Sequence, residues 1–244
     1  VTVEERSSAA VSDEGASRPD PWQAAFIILL VSGLVGAVLW VLFGSRLLAV
    51  RQIEVTGLDR LAETEVLAAV DVTPGTPLAR VDTDAVAARV SELRLVDSVD
   101  VQRGWPATLR VAVTERVPVF ALAAADGGYL LVDREGVWVE KSEAEPEGYP
   151  LLHVSGDVEG NPAVADSALV LAALPDALAA DVAAVVATDR ARLTLEFTTG
   201  ATAMWGDTER AADKARALEV LMAQHPPEPG RHYDVSAEGV AVVR

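Results

Sequence analysis

Three histidines, one close pair of aspartates and one serine beside a glycine are the residues of this 244-residue sequence whose types could carry chemistry. A metal site needs His, Cys, Asp or Glu at ligand spacing. His153, His225 and His232 lack that spacing, and the last two flank the proline-rich stretch Pro226-Pro227-Glu228-Pro229. Solvated loop histidines are the better account. The chain contains no cysteine, which removes disulfides and thiolate chemistry. Ser155-Gly156-Asp157 is a lone serine beside a turn glycine, without the GxSxG elbow of a nucleophile, and no phosphate-cradling GxxxxGK loop is present. Asp82 and Asp84 could exchange protons. They stand at the start of an amphipathic stretch, where a carboxylate accepts the free amides of a first helical turn, so capping explains them better. Trp105 and Trp138 read as core or turn anchors. The sequence thus offers no catalytic, cofactor or metal residues, and it favours binding over catalysis.

One binding candidate comes from the backbone. The segment Tyr233 to Val243 has no proline and little charge apart from Asp234 and Glu238. A strand at a sheet edge leaves amides and carbonyls open to a partner strand. The candidate residues are Tyr233, Asp234, Val235 and Ser236, with Gly239, Val240, Ala241 and Val242 opposite or following. An ordinary paired strand with solvated turns is the alternative, and periodicity alone favours it.

The elements that must position this segment begin with an anchor. Ala24 to Phe43 carries no charge, and the uncharged stretch runs from Pro21 to Ser45. At a rise of about 1.5 Å per residue, such a run matches a hydrocarbon core of about 30 Å. Trp22 and Trp40 lie near its ends, where amphipathic rings favour the headgroup zone. A signal peptide would have a basic leader and a small-residue cleavage site, whereas this leader is acidic. Arg6 and Arg18 precede the span and Arg46 and Arg51 come after it, so flanking charge does not orient it. The length of the region C-terminal to the span does: a short N-terminal tail inside and a long domain outside. Residues 1–20, polar and acidic, are expected to be a disordered cytoplasmic tail, and 21–45 the transmembrane helix. The net charge of −17 offers no basic stripe for nucleic acid.

Beyond the span, Ile53-Glu54-Val55 alternates like a strand. Glu63–Val70 and the stretch with Val86, Val90 and Leu93 read as helices separated by a turn at Thr73-Pro74-Gly75-Thr76-Pro77. Residues 96–101 and 109–113 alternate on either side of Gly104-Trp105-Pro106-Ala107 and predict a hairpin. The order is β-α-α-β-β. Further on, strands are expected at 129–132, 137–139, 193–197, 203–205, 233–235 and 240–243. One helix is expected over 163–174 with Asn161 capping and Pro162 in its first turn, and another comes after Thr208 as cap. The fold class is α+β: one transmembrane helix, a small β-α-α-β-β domain over 50–118, and a β-rich mixed domain over 119–244.

Several strings in this order resemble the bacterial cell-division family FtsQ, called DivIB in some lineages. They are Ile53-Glu54-Val55-Thr56-Gly57 with Leu61, Gly75-Thr76-Pro77-Leu78, Val99 to Leu109 with its Trp-Pro-x-Thr-Leu core, Thr114-Glu115-Arg116-Val117-Pro118, and Leu131 to Gly136. The resemblance implies that the small domain is a POTRA domain and that the chain is a non-enzymatic divisome scaffold concentrated at the septum. It implies binding of the bitopic proteins FtsB (DivIC) and FtsL, and through them regulation of the septal peptidoglycan synthase FtsW/FtsI, with no small-molecule substrate. It also implies strand addition at the last strand of the β domain, which maps by position to the Tyr233–Val242 candidates and turns the open-edge reading into the preferred one. The linking loop Ser236-Ala237-Glu238-Gly239 is short and no aromatic follows it. A POTRA-bearing component of protein export or envelope assembly is the alternative, and an anchored envelope hydrolase a third.

Overall fold

The computed structural model describes residues 21–44, 46–237 and 241–244. The expected tail over 1–20 lies outside the described residues. Helix α1 (Pro21–Gly44) contains no charged residue. It is long and apolar enough to cross a membrane, and none of its apolar span is buried against protein. A core helix of a soluble domain would be largely covered.

There follow β1 (Gln52–Thr56), α2 (Glu63–Val70), α3 (Thr83–Ser91), β2 (Val96–Gly104) and β3 (Thr108–Glu115). These strands form a three-stranded sheet in the order β1-β3-β2, the β-α-α-β-β pattern expected. Next come β4 (Phe120–Ala123), β5 (Tyr129–Val132), β6 (Trp138–Ser142), β7 (Leu151–Val154), α4 (Pro162–Ala173) and α5 (Asp176–Ala180). The chain continues through β8 (Val182–Asp189), β9 (Arg192–Phe197), β10 (Thr202–Gly206), α6 (Ala211–Gln224), β11 (His232–Asp234) and β12 (Val242–Val243). Among the described residues, nine strands form one sheet in the order β12-β11-β10-β9-β8-β7-β4-β5-β6. The pairs β4/β7, β7/β8 and β10/β11 are parallel and the others antiparallel.

The chain divides into two compact units. One holds the described part of Val1–Glu54 with Val72–Asp82 and Gln102–Leu109. Within it, Val50 N–H donates to the Thr76 carbonyl at 2.8 Å, and the Val50 carbonyl accepts Gly75 N–H at 2.9 Å. Arg103 donates from Nε to the Leu78 carbonyl (3.2 Å) and from Nη2 to that of Val81 (2.6 Å). That side chain satisfies a short helical turn whose apolar members Leu78 and Val81 are buried.

The other unit comprises Val55–Asp71, Thr83–Val101 and Arg110–Arg244. Helices α2 and α3 bury Val66, Val70, Val86 and Val90, whereas Leu93, expected on the second stripe, lies beyond the end of α3 and is half-buried. Arg89 of α3 donates to the carbonyls of Ala69 and Val70 at 3.1 and 2.6 Å, covering open acceptors at the end of α2. The part of β3 in this unit turns Val111 and Val113 inward. Gly57 has φ +84°, and a Cβ there would lie 2.0 Å from the Val113 carbonyl oxygen, so only glycine fits.

The large sheet carries α4 and α6, which also touch each other. Its core joins Phe120, Val164, Val185, Leu195, Trp205 and Leu218. Two of its parallel contacts, β7/β8 and β10/β11, are bridged by helical connections through α4–α5 and α6, because parallel neighbours need a long crossover. Strands β4, β7 and β8 were not expected from periodicity. Asn161 caps α4 as expected, its Oδ1 accepting Ala163 N–H at 3.0 Å. Thr208 does not cap α6. The helix begins after Arg210, which sits at φ +50° without a side-chain cap bond. Asp207 organises the entry instead: its Oδ1 accepts Glu209 N–H at 3.1 Å and Lys214 Nζ at 2.7 Å.

Candidate partner-binding edge

The two edges of the nine-stranded sheet are β12 and β6. Strand β6 presents exposed Glu140 and Lys141, and its first carbonyl, that of Trp138, accepts a 2.6 Å hydrogen bond from Arg94 Nη1. Charged side chains and occupied backbone groups discourage pairing at an edge. Strand β12 carries Val242 and Val243.

The predicted residues separate on this framework. Tyr233 and Asp234 belong to β11, which is paired on both sides, parallel to β10 and antiparallel to β12. Val235 is buried and its N–H donates to the Met204 carbonyl at 3.0 Å. Ser236 lies in the bend beyond, where its hydroxyl and N–H donate to Asp234 Oδ1 at 2.7 and 3.0 Å. Those bonds, the hydroxyl first, hold the Asp234 carboxyl below its ordinary range against some burial, with help from the charge of Arg244. Gly239 and Val240 lie outside the described residues. Ala241 precedes β12 and Val242 opens it.

Tyr233 fixes β11 to the helical layer. Its ring is buried and its hydroxyl donates to the His225 carbonyl at the end of α6, 2.5 Å away. Burial pushes the phenol's pKa up. His232 is a strand residue rather than part of the connector, with Nδ1 2.6 Å from Thr202 Oγ1. His153 sits far off in β7 and exposed.

The ladder decides which backbone groups face outward. His232 and Arg244 exchange both hydrogen bonds, at 3.0 and 2.9 Å. Antiparallel ladders alternate, so Val242 bonds to Asp234 in the same way, while Val243 opposite Tyr233 does not bond inward. The N–H and C=O of Val243 therefore point away from β11, to the open side. This parity involves Val243 and Arg244, which lie outside the set expected from periodicity and family position. No local signal marks it, because it depends on the register with β11.

A second cluster lies at the start of the large sheet. Arg116 Nη1 is 2.5 Å from Asp133 Oδ2, 2.8 Å from Glu135 Oε2 and 4.0 Å from Asp97 Oδ1. Oxygens of these three carboxylates lie within 4.8 Å of one another, a spacing that could hold a cation. The guanidinium already fills that position. Asp133 Oδ1 also accepts the N–H groups of Glu135 and Val137, which closes the β5–β6 turn. Glu115, one residue earlier, accepts N–H bonds from Asp59, Arg60 and Leu61 at 2.8 to 3.1 Å. The adjacent Glu-Arg of the 114–118 string thus fastens two different loops.

With this geometry in view, comparison with known proteins is decisive. Residues 48–116 match the family model "POTRA domain, FtsQ-type", and residues 121–242 match "Cell division protein FtsQ/DivIB, C-terminal". The chain belongs to the FtsQ/DivIB family. Similar relatives carry the name Cell division protein FtsQ. That of Mycobacteroides abscessus is 37% identical over 94% of this chain and 72% of its own length. That of Mycolicibacterium smegmatis is 39% identical over 88% and 63%. That of Streptomyces venezuelae is 39% identical over 95% and 90%. As a member of the FtsQ/DivIB family the chain is a cell-division protein with a divisome role, and its family is of the scaffold type. Its architecture is that of the family: an N-terminal apolar helix suited to single-pass anchoring, a POTRA domain and a β-rich C-terminal domain.

Proposed function

We propose that this FtsQ/DivIB chain is a non-enzymatic divisome scaffold that receives a strand from an FtsB/DivIC-like bitopic protein along β12, together with an FtsL-like protein. In this reading the N-terminus is cytoplasmic, the domains over 50–118 and 119–244 are extracytoplasmic, and the protein gathers at the septum. Through its partners it regulates the FtsW/FtsI synthase. The observation that carries the reading is the outward N–H and C=O of Val243 on an edge strand. Main-chain bonds supply affinity in strand addition.

The test is a pull-down of the detergent-solubilised full chain with the DivIC-like protein of the same cell, comparing the wild type with Val243→Pro. Proline removes the outward donor. Loss of capture with an unchanged circular dichroism spectrum is expected. Full capture by the variant would sink the mechanism. An even distribution around the envelope, in place of a midcell ring, would favour the reading as a POTRA-bearing component of export or envelope assembly.

A further inference from the structure

We propose that β12 reads the sequence of the strand it receives, selecting an aliphatic side chain beside Val242 and a carboxylate two residues away beside Arg244. The inference rests on the strand-addition reading and deepens it by naming the chemistry of the partner segment.

Register aligns two rows of side chains across the end of the sheet. Thr194, Met204, Asp234 and Val242 are successive partners on β9, β10, β11 and β12. The next row is Glu196, Thr202, His232 and Arg244. Leu195, Ala203 and Tyr233 point the other way into the core that contains Leu218 and Met222 of α6. Both rows therefore lie on the face away from α6. At the open edge the first row ends in Val242, 39% exposed, with Asp234 beside it and Met204, 51% exposed, one strand further in. The second ends in the exposed cation of Arg244.

An antiparallel strand added to β12 exchanges its bonds with Val243. The residues it places opposite Val242 and Arg244 then occupy non-hydrogen-bonded positions, where Cα atoms approach to about 4.5 Å and side chains interact most closely. A β-branched or aliphatic residue beside Val242 packs against its exposed side chain. A carboxylate beside Arg244 is attracted, and a lysine there is repelled. A parallel strand keeps the same two-residue spacing, because side chains alternate with period two.

Overlapping synthetic peptides covering the extracytoplasmic segment of the same cell's DivIC-like protein, titrated against the solubilised full chain by fluorescence anisotropy, test this. The bound peptides are expected to contain an aliphatic residue and an acid two positions apart. Replacing that acid by lysine weakens binding about tenfold, and Arg244→Glu reverses the preference. Arg244→Ala, a milder change, abolishes the preference without reversing it. Equal discrimination by the wild type, Arg244→Glu and Arg244→Ala overturns the inference. If Val243→Pro still abolishes peptide binding in that case, strand addition stands and only the sequence readout fails. If no peptide binds in a Val243-dependent way, both fail.

Discussion

The guanidinium of Arg94 lies 3.2 Å from the centroid of the Trp138 indole while its Nη1 donates to the carbonyl of the same residue. One side chain thus covers the ring and occupies a backbone acceptor at the β6 edge. The opposite edge, β12, turns Val243 outward. One edge of the sheet is thus guarded by a residue between α3 and β2, and the other leaves the backbone groups of Val243 open.

Arg94→Ala is expected to cost about 1 kcal/mol of stability from the lost cation–π contact and hydrogen bond. Amides of β6 should exchange faster in hydrogen–deuterium measurements while those of β9 and β10 do not. Arg94→Lys should recover only part of the loss, since an ammonium lacks the planar fork that spans ring and carbonyl. Unchanged β6 exchange in the alanine variant would remove the guarding role.

Arg116 neutralises Asp133, whose side chain is 3% exposed. Arg116→Met leaves that carboxylate buried without its cation, and the expected loss is about 3 kcal/mol. Adding Asp133→Asn should restore part of it, because the amide oxygen can still accept the Glu135 and Val137 N–H groups. A double-mutant cycle by urea denaturation reads the coupling; additive losses would mean the pair is not linked.

Glu115 gives a pH signature. Burial raises its pKa, but three backbone N–H donors outweigh that, and the folded carboxyl sits below its ordinary value. Between the folded and unfolded values the unfolded chain binds more protons, so stability rises with pH there. The contribution is complete above the unfolded value of about 4.3 and disappears as pH falls through the folded one. The stability gap between wild type and Glu115→Gln should therefore be full at neutral pH and shrink under acid. Urea melts across that range check it; a gap that widens on acidification would reverse the assignment.

Ladder parity predicts opposite outcomes for adjacent prolines. Val243→Pro removes an outward donor and should abolish partner capture with β11 and β12 still paired. Val242→Pro removes the inward donor to Asp234 and should free β12 from β11, visible as faster exchange of the His232 and Arg244 amides. Identical exchange in the two variants would show that the register is different.

Much of this was legible in the chain. Uncharged residues from Pro21 to Ser45 announce a membrane-length helix, and the stripes Val66–Val70 and Val86–Val90 announce α2 and α3. The alternation of Leu193-Thr194-Leu195-Glu196-Phe197 announces β9. These signals are local, since each element's own periodicity meets one buried face. Strands β4 and β7 escaped because each is only four residues long, and β8 because Val182-Ala183-Ala184-Val185-Val186 has no clean alternation. Thr208 misled because a hydroxyl near a helix start is a generic cap, whereas Asp207 and Lys214 set this one.

The candidate site divides along the same line. The sequence determined that a proline-free strand segment follows the last helix and, through its strings, that the chain belongs to a cell-division family. Which of those residues turn their backbone groups to the open edge was decided only by tertiary structure. Tyr233 and Asp234 are enclosed by β10 and β12, and pairing with β11 turns the amide of Val243, rather than that of Val242, to the open edge. A strand's side chains follow a period that sequence displays, but the direction of each N–H and C=O is set by which neighbour it pairs with, and that neighbour is known only once the sheet is assembled.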